Sequence, residues 1–382
     1  MAKIICGSSI EVLKTIDENS FQTCVTSPPY YSLRDYGVDG QLGLEDTPNE
    51  YISSLVDIFR EVKRTLRKDG TLWVVIGDCY NGSGGAGGDY NEGGLREGQP
   101  RYPGRNIDKL KSKDLIGIPW MLAFAMREDG WYLRADVIWA KPNPMPESVM
   151  DRPTRCHETV FLFAKSQKYY YDNEAIKEPI SDAMQAAIDR GVRADKQFKH
   201  DEHNRFGKRS GNRAFSDPDS LARIASGRNK RDVWFIPTKP SGVLHYAAFP
   251  PNLIEPCVLA GSSDKACNQC CAPWVKEYII KEKGTATDTT EYSKKLGGKS
   301  AATRTRGNIT ADTREFVGYK PTCDCKRSLD TGKSIVLDPF CGTGVTGEVA
   351  IKNKRDFIGI DISEKYCKIA REKIGEVQEV LF

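Results

Sequence analysis

Ile335-Val336-Leu337-Asp338-Pro339-Phe340-Cys341-Gly342-Thr343-Gly344 is the stretch that decides the fold. Ile335 to Leu337 read as a short buried strand, Asp338 ends it, and Gly342-Thr343-Gly344 opens a helix running through Val349. Glycines at such a turn let backbone approach a ligand closely, and the helix N-terminus behind them exposes free N–H groups. The next strand, Phe357–Ile360, ends in Asp361, where a carboxylate can accept hydrogen bonds from both hydroxyls of a ribose. The glycine spacing differs from a dinucleotide G-x-G-x-x-G turn. The whole run predicts a nucleoside site at the carboxyl ends of neighbouring strands.

Working outward, apolar runs of the same kind recur at Ile4–Cys6, Thr23–Thr26, Leu72–Ile76, Val137–Trp139, Val160–Phe163 and Val233–Ile236. They are rich in Val and Ile and largely non-alternating, as strands buried on both faces are. Helical patterns fit between them. Thr47-Pro48-Asn49-Glu50 has a capping-box pattern, Ile52, Leu55, Val56, Phe59, Val62 and Leu66 follow at helical spacing, and Lys68-Asp69-Gly70 is the expected end. A last helix starts at Ser363 and carries Tyr366, Ile369, Ala370, Ile374 and Val377. The expected fold is therefore α/β, a doubly wound, mostly parallel sheet.

The chain has 382 residues, 39% of them hydrophobic and 28% charged, enough for a globular core. A net charge of +4 is compatible with nucleic acid without indicating it. The N-terminus lacks the apolar region of a signal peptide, and no apolar run approaches the roughly 18 residues of a membrane span. A cytoplasmic location is expected. Twelve cysteines in that compartment argue for metal ligation or buried thiols rather than disulfides. Cys267-x2-Cys270 has zinc-ribbon spacing, and with Cys323-Asp324-Cys325 it predicts one structural zinc, the alternative being free thiols. Cys271 leaves open which thiol ligates. Three regions break the α/β pattern: glycine-rich 81–106, basic 181–231, and polar 262–332 with five of the cysteines.

At the other end, Cys24-Val25-Thr26 leads into Ser27-Pro28-Pro29-Tyr30. The amino group of cytosine or adenine is a poor nucleophile because its lone pair is delocalised into the ring. Acceptors for both amino protons favour a pyramidal nitrogen, and the Ser27 hydroxyl and Pro28 carbonyl are such acceptors. The prolines fix φ and remove competing donors. Tyr30 offers a face on which an extruded base can stack. Alone, a Pro-Pro-Tyr segment also suits a plain turn.

The Ser27–Tyr30 segment resembles the catalytic (Asp/Asn/Ser)-Pro-Pro-(Tyr/Phe/Trp) motif of amino-methyltransferases, and Asp338–Gly344 resembles their cofactor motif. The order, catalytic motif first, is similar to the permuted β-class of bacterial and phage DNA amino-methyltransferases. His245-Tyr246-Ala247-Ala248-Phe249-Pro250-Pro251 resembles the family's segment before the cofactor motif, at the methionine end. Leu72-Trp73 to Gly77-Asp78, Trp139 to Asn143, and His157-Glu158-Thr159-Val160 resemble further family stretches. Gly7-Ser8 departs from it, since the family often carries Gly-Asp there, and Ser8 is left out of the expected site.

What the resemblance implies is methyl transfer from S-adenosylmethionine to an exocyclic amine of a flipped base in double-stranded DNA, by direct in-line attack without a catalytic metal. The expected catalytic residues are Ser27, Pro28, Pro29 and Tyr30. The expected cofactor contacts are Asp338, Phe340, Gly342, Gly344, Asp361, Phe249 and Pro250. The expected metal ligands are Cys267, Cys270, Cys323 and Cys325. Ser-Pro-Pro is commonest in the family's cytosine-N4 members, so cytosine N4 is expected ahead of adenine N6. The expected division is a catalytic half over 1–175, a target-recognition region over 176–240, a cofactor half over 241–261 and 333–382, and a zinc insertion over 262–332. Arg205, Lys208, Arg209 and Arg213 would contact phosphates. A monomer or homodimer, a cognate restriction endonuclease as partner, and association with the nucleoid through DNA complete the expectation. Two rivals are weighed. Pro256-Cys257, the pair of carbon-5 enzymes, sits in an apolar helical segment and reads as packing. A glutamine methyltransferase carries Asn-Pro-Pro-Tyr after its cofactor motif, so both residue and order disagree. A non-catalytic zinc-containing DNA-binding protein is the remote alternative, opposed by the intact Ser27–Tyr30, Asp338 and Asp361.

Overall fold

The computed structural model describes residues 1–82, 107, 110–189, 192–193, 222, 224–238, 249–283, 308–309, 313–325 and 331–381. The expected phosphate contacts Arg205 to Arg213, residues His245 to Ala248, and nearly all of the glycine-rich stretch lie outside them. All eight apolar runs form strands of one sheet: β1 (Ala2–Cys6), β2 (Phe21–Thr26), β3 (Leu66–Ile76), β4 (Tyr132–Ala140), β5 (His157–Ala164), β6 (Val233–Phe235), β7 (Ile335–Asp338) and β8 (Asp356–Asp361). Their spatial order is β1-β8-β7-β2-β3-β5-β4-β6. Only β5 runs against the others, pairing antiparallel with β3 and β4. Leu337 pairs with both Cys24 and Ile358, which brings the ends of β2, β7 and β8 side by side.

Helices α1 (Ser9–Lys14), α2 (Pro48–Thr65) and α3 (Ile118–Glu128) pack in one layer, and α4 (Pro251–Gly261), α5 (Val345–Lys352) and α6 (Glu364–Leu381) form another. Along β3, Leu72, Val74 and Ile76 join the core beneath α2 and α3. Trp73 and Val75, equally buried, face the other way. On that side Gly261 of α4 lies so close to Thr23 and Thr71 that a Cβ would sit 2.5 Å from a threonine hydroxyl. Burial on both faces is why the central strands β2 and β3 read as continuous apolar runs.

Helix α2 shows its capping box: Thr47 accepts from the Glu50 amide at 3.2 Å, and Glu50 accepts from the Thr47 amide at 3.0 Å. Its expected end at Lys68–Gly70 is corrected. The helix stops at Thr65, and Leu66 is already extended beside Phe21 of β2. Both side chains are fully buried there, so strand pairing overrides the helical preference of Arg67 and Lys68. Residues 67–70 form an outward excursion before pairing resumes at Thr71.

The chain divides into two compact units, one of Met1–Ala175, Arg231–Trp274 and Pro321–Phe382, the other of Ile176–Lys230 and Val275–Lys320. The first carries the sheet. The second contains the helix Asp182–Asp189, an antiparallel pair between Val192–Arg193 and Asn308–Ile309, and an ion pair between Glu178 and Arg228. The stretch 262–332 is thus split, its cysteine-bearing ends belonging to the sheet unit and its middle joining 176–230. Among the described residues no helix is long and apolar enough to cross a membrane.

Candidate active site at the carboxyl edge

The carboxyl ends of β1, β8, β7 and β2 surround a cavity of about 430 Å³, within the range of small-molecule sites. Ser27, Pro28, Pro29 and Tyr30 line one side of it, and Phe340, Gly342 and Asp361 line another, with Phe249 also on the wall. Two motifs more than three hundred residues apart therefore share one cavity.

The Ser27–Tyr30 loop is held from several directions. The Tyr51 hydroxyl of α2 donates to the Pro29 carbonyl at 2.7 Å. The Tyr30 ring lies on Gly77 so closely that a Cβ there would meet Cε2 at 2.6 Å. The Tyr30 hydroxyl donates to Glu158 Oε2 at 2.5 Å. Burial and the neighbouring Glu158 charge push the Tyr30 phenol well above its usual pKa.

On the opposite side, Asp361 closes β8. Its Oδ2 accepts from the Gly342 amide and its Oδ1 from the Ser363 amide, each at 2.9 Å. These two donors orient the carboxylate and leave a lone pair on each oxygen. Burial raises its pKa, and the two amides oppose that rise.

Three of the expected contacts do not line this cavity. Asp338 is fully buried and absent from the cavity wall. Its Oδ1 accepts from Thr26 at 2.6 Å and from the Phe340 amide at 3.1 Å, and its Oδ2 accepts from Thr346 at 2.6 Å. The carboxylate ties β7 to the end of β2 and to α5. Burial lifts its pKa to about 6, with the nearby Asp361 adding to the rise and the three hydrogen bonds opposing it. Gly344 also stands behind the wall. It caps α5 at φ +78, and a Cβ there would lie 3.0 Å from Ala370, so it serves the turn rather than the cavity. Pro250 is the N-cap of α4 and lies off the wall, one residue after Phe249.

Several wall residues were not expected. Ser8 is one of them, and its place just after β1 at the carboxyl edge was the available signal. Tyr36 and Tyr366 are others, in edge-to-face contact at 6.1 Å. Nothing in their spacing links them, because the loop after Tyr30 brings Tyr36 back over α6.

The Sγ atoms of Cys267, Cys270, Cys323 and Cys325 lie within 4.8 Å of one another, elsewhere in the same unit. Four thiolates around a zinc at about 2.3 Å would stand roughly 3.8 Å apart, so this set fits such an ion. The Gln269 amide donates to Cys267 Sγ at 3.4 Å, and hydrogen bonds from the Cys270 and Gln269 amides lower the Cys267 pKa to about 7. Cys271 points elsewhere and takes no part in the cluster. Cys257 is fully buried in α4, its thiol against the Leu253 carbonyl, as packing predicts.

A DNA methylase family model matches residues 21–267 and 326–372. Type II methyltransferase M.SmaI of Serratia marcescens is 38% identical over 97% of this chain and 90% of its own length. Type II methyltransferase M.Cfr9I of Citrobacter freundii is 35% identical over 100% of this chain and 90% of its own. Among solved structures, the cytosine-N4-specific PvuII DNA methyltransferase aligns at 15% identity and a TM-score of 0.49, over 99% of this chain and 91% of its own. With both motifs on one cavity and relatives of this identity along nearly the whole chain, the chain belongs to the DNA methylase family of N6/N4 methyltransferases.

Proposed function

We propose that this methyltransferase moves a methyl group from S-adenosylmethionine to N4 of cytosine in duplex DNA, acting on a flipped base by direct in-line transfer. The observation that carries the proposal is the convergence of Ser27–Tyr30 and the Gly342–Asp361 turn on one cavity. S-adenosylmethionine supplies an electrophilic methyl group on a sulfonium. The donor set fits it: Asp361 for the ribose hydroxyls, Phe340, Val345 and Ile362 as apolar walls, and Phe249 beside them. Asp338 and Gly344 shape the turn that bears these groups.

Ser27 Oγ and the Pro28 carbonyl accept the two amino protons, localising the nitrogen lone pair. Pro29 fixes the loop, and Tyr30 gives the base a stacking face. The cytosine preference rests on Ser27, since Ser-Pro-Pro resembles the cytosine-N4 members, and adenine N6 by the same mechanism is the second reading. The order of the motifs supports the permuted β-class. Region 176–240 is the proposed target reader, and Cys267, Cys270, Cys323 and Cys325 the ligands of a structural zinc. The relatives are type II methyltransferases, which supports a cognate restriction endonuclease; the enzyme works as a monomer or homodimer at a cytoplasmic site on the nucleoid. Sequencing that detects modified bases, on DNA from cells expressing the protein, tests the reading. N4-methylcytosine in one sequence context supports it, and N6-methyladenine alone replaces the base assignment.

A further inference from the structure

Methyl transfer to an amino nitrogen leaves a proton to be removed, and Ser27 is not a base able to keep it. This question arises only if the proposed transfer is correct. The side chains behind Ser27 answer it. Ser27 stands close enough to the Tyr30 phenol to oppose the rise of its pKa. The Tyr30 hydroxyl donates to Glu158 Oε2 at 2.5 Å. Glu158 is mostly buried and is held on its other oxygen by Lys141 Nζ. Lys141 follows the end of β4, where Trp139 pairs in register with Glu158 and its ring carries the Lys141 ammonium at 4.5 Å. The Tyr30 O–H points away from Ser27's loop toward Glu158, and Ser27 lines the cavity.

We propose that Ser27, Tyr30 and Glu158 form a proton relay, with the Glu158 carboxylate as terminal acceptor and Lys141 as the group that positions it. As the amino nitrogen attacks, its lone pair forms the new N–C bond, and the S–C electron pair stays with sulfur, giving a thioether. The nitrogen then yields one proton to Ser27 Oγ. Ser27 passes its own proton to the Tyr30 oxygen, and Tyr30 passes its own to Glu158. Sulfonium, amine and carboxylate become thioether, methylamine and carboxylic acid, with no other reactant needed. The ring contact with Gly77 keeps the phenol in line. The charged or titratable groups that meet the relay are Lys141 from β4 and Tyr51 from α2, the latter bonded to the Pro29 carbonyl.

The test uses the full-length protein, an oligonucleotide duplex containing its methylation site, and S-adenosylmethionine, in single turnover and at steady state. Glu158→Gln keeps the size of the side chain and removes the base. Transfer is expected to slow by about 10- to 100-fold, within or below the usual worth of a positioned acid or base, while KM for DNA and donor stays within roughly threefold. Tyr30→Phe cuts the same row, so the double variant should be no slower than the slower single one. A Glu158→Gln enzyme at wild-type rate, a loss confined to KM, or multiplicative losses in the double variant would each overturn the relay while leaving methyl transfer standing. A wild-type protein that methylates no base would instead remove the transfer reading, and the relay with it.

Discussion

Asp338→Asn separates a residue that shapes the site from one that touches the cofactor. The substitution preserves shape, and the hydrogen bonds can be rewritten around it. An amide oxygen in the Oδ1 position still accepts from Thr26 and the Phe340 amide. An amide nitrogen in the Oδ2 position donates to Thr346, whose own proton turns to the Val25 carbonyl, already 3.5 Å away. What disappears is a buried charge. The carboxyl is shifted from an ordinary 3.8 to about 6, and two units of such a shift correspond to about 3 kcal/mol. The sign follows from proton linkage: between pH 3.8 and 6 the folded protein binds the extra proton, so this group makes stability rise as pH falls through 6 toward 4. Above pH 6 the ionised form costs stability. Urea unfolding at pH 5 and pH 7.5 measures both ends. The wild type should gain at the lower pH about 1.4 kcal/mol more than Asp338→Asn does. At pH 7.5 the variant should be as stable as the wild type or more so, with donor affinity by calorimetry within about fivefold, or ~1 kcal/mol. Equal pH responses in the two proteins would refute the titration, and a folded variant whose affinity fell 50-fold would refute the placement of Asp338 outside the cavity.

Asp361→Ala behaves in the opposite way: losing hydrogen bonds to a charged acceptor should cost about 1.5–3 kcal/mol of donor binding, roughly 10- to 150-fold, in a protein that remains folded, and unchanged affinity by calorimetry would show that the ribose contact is misassigned. Gly77→Ala pushes a Cβ into the Tyr30 ring, so methylation should slow at least tenfold while donor affinity holds, as read by steady-state rates and calorimetry. Protein purified without chelator should contain about one zinc per chain by elemental analysis, and Cys270→Ser should lower both that content and the melting temperature; a metal-free, fully folded wild type ends the zinc reading.

All eight strands were legible because each contains a short apolar run, and the central ones, such as Phe21–Thr26 and Leu72–Ile76, are buried on both faces. The capping box of α2 was legible because both partners lie within one turn. The end of that helix was not, since Leu66 leaves it to pair beside Phe21, a choice made by tertiary contact. The carboxyl-edge position of Ser27, Asp338 and Asp361 followed from their place after strands. The direction of each side chain did not: Asp338 turns inward because Thr26, 312 residues away, and Thr346 receive it. Local pattern cannot show such partners. Glu158 was visible only as part of a family-like stretch, because its role depends on Tyr30 and Lys141 arriving from other strands. The choice of Cys270 over Cys271 likewise depends on backbone geometry, Cys271 being at φ +55.

The central claim is transfer of a methyl group to cytosine N4 of DNA. Purified protein, S-adenosylmethionine carrying a deuterated methyl group and unmodified duplex DNA, followed by digestion to nucleosides and mass spectrometry, reads that transfer directly. The account predicts N4-methylcytosine bearing the deuterated methyl group, lost in Ser27→Ala. No labelled nucleoside from folded, donor-binding protein, label on N6 of adenine alone, or label on carbon 5 of cytosine would contradict it.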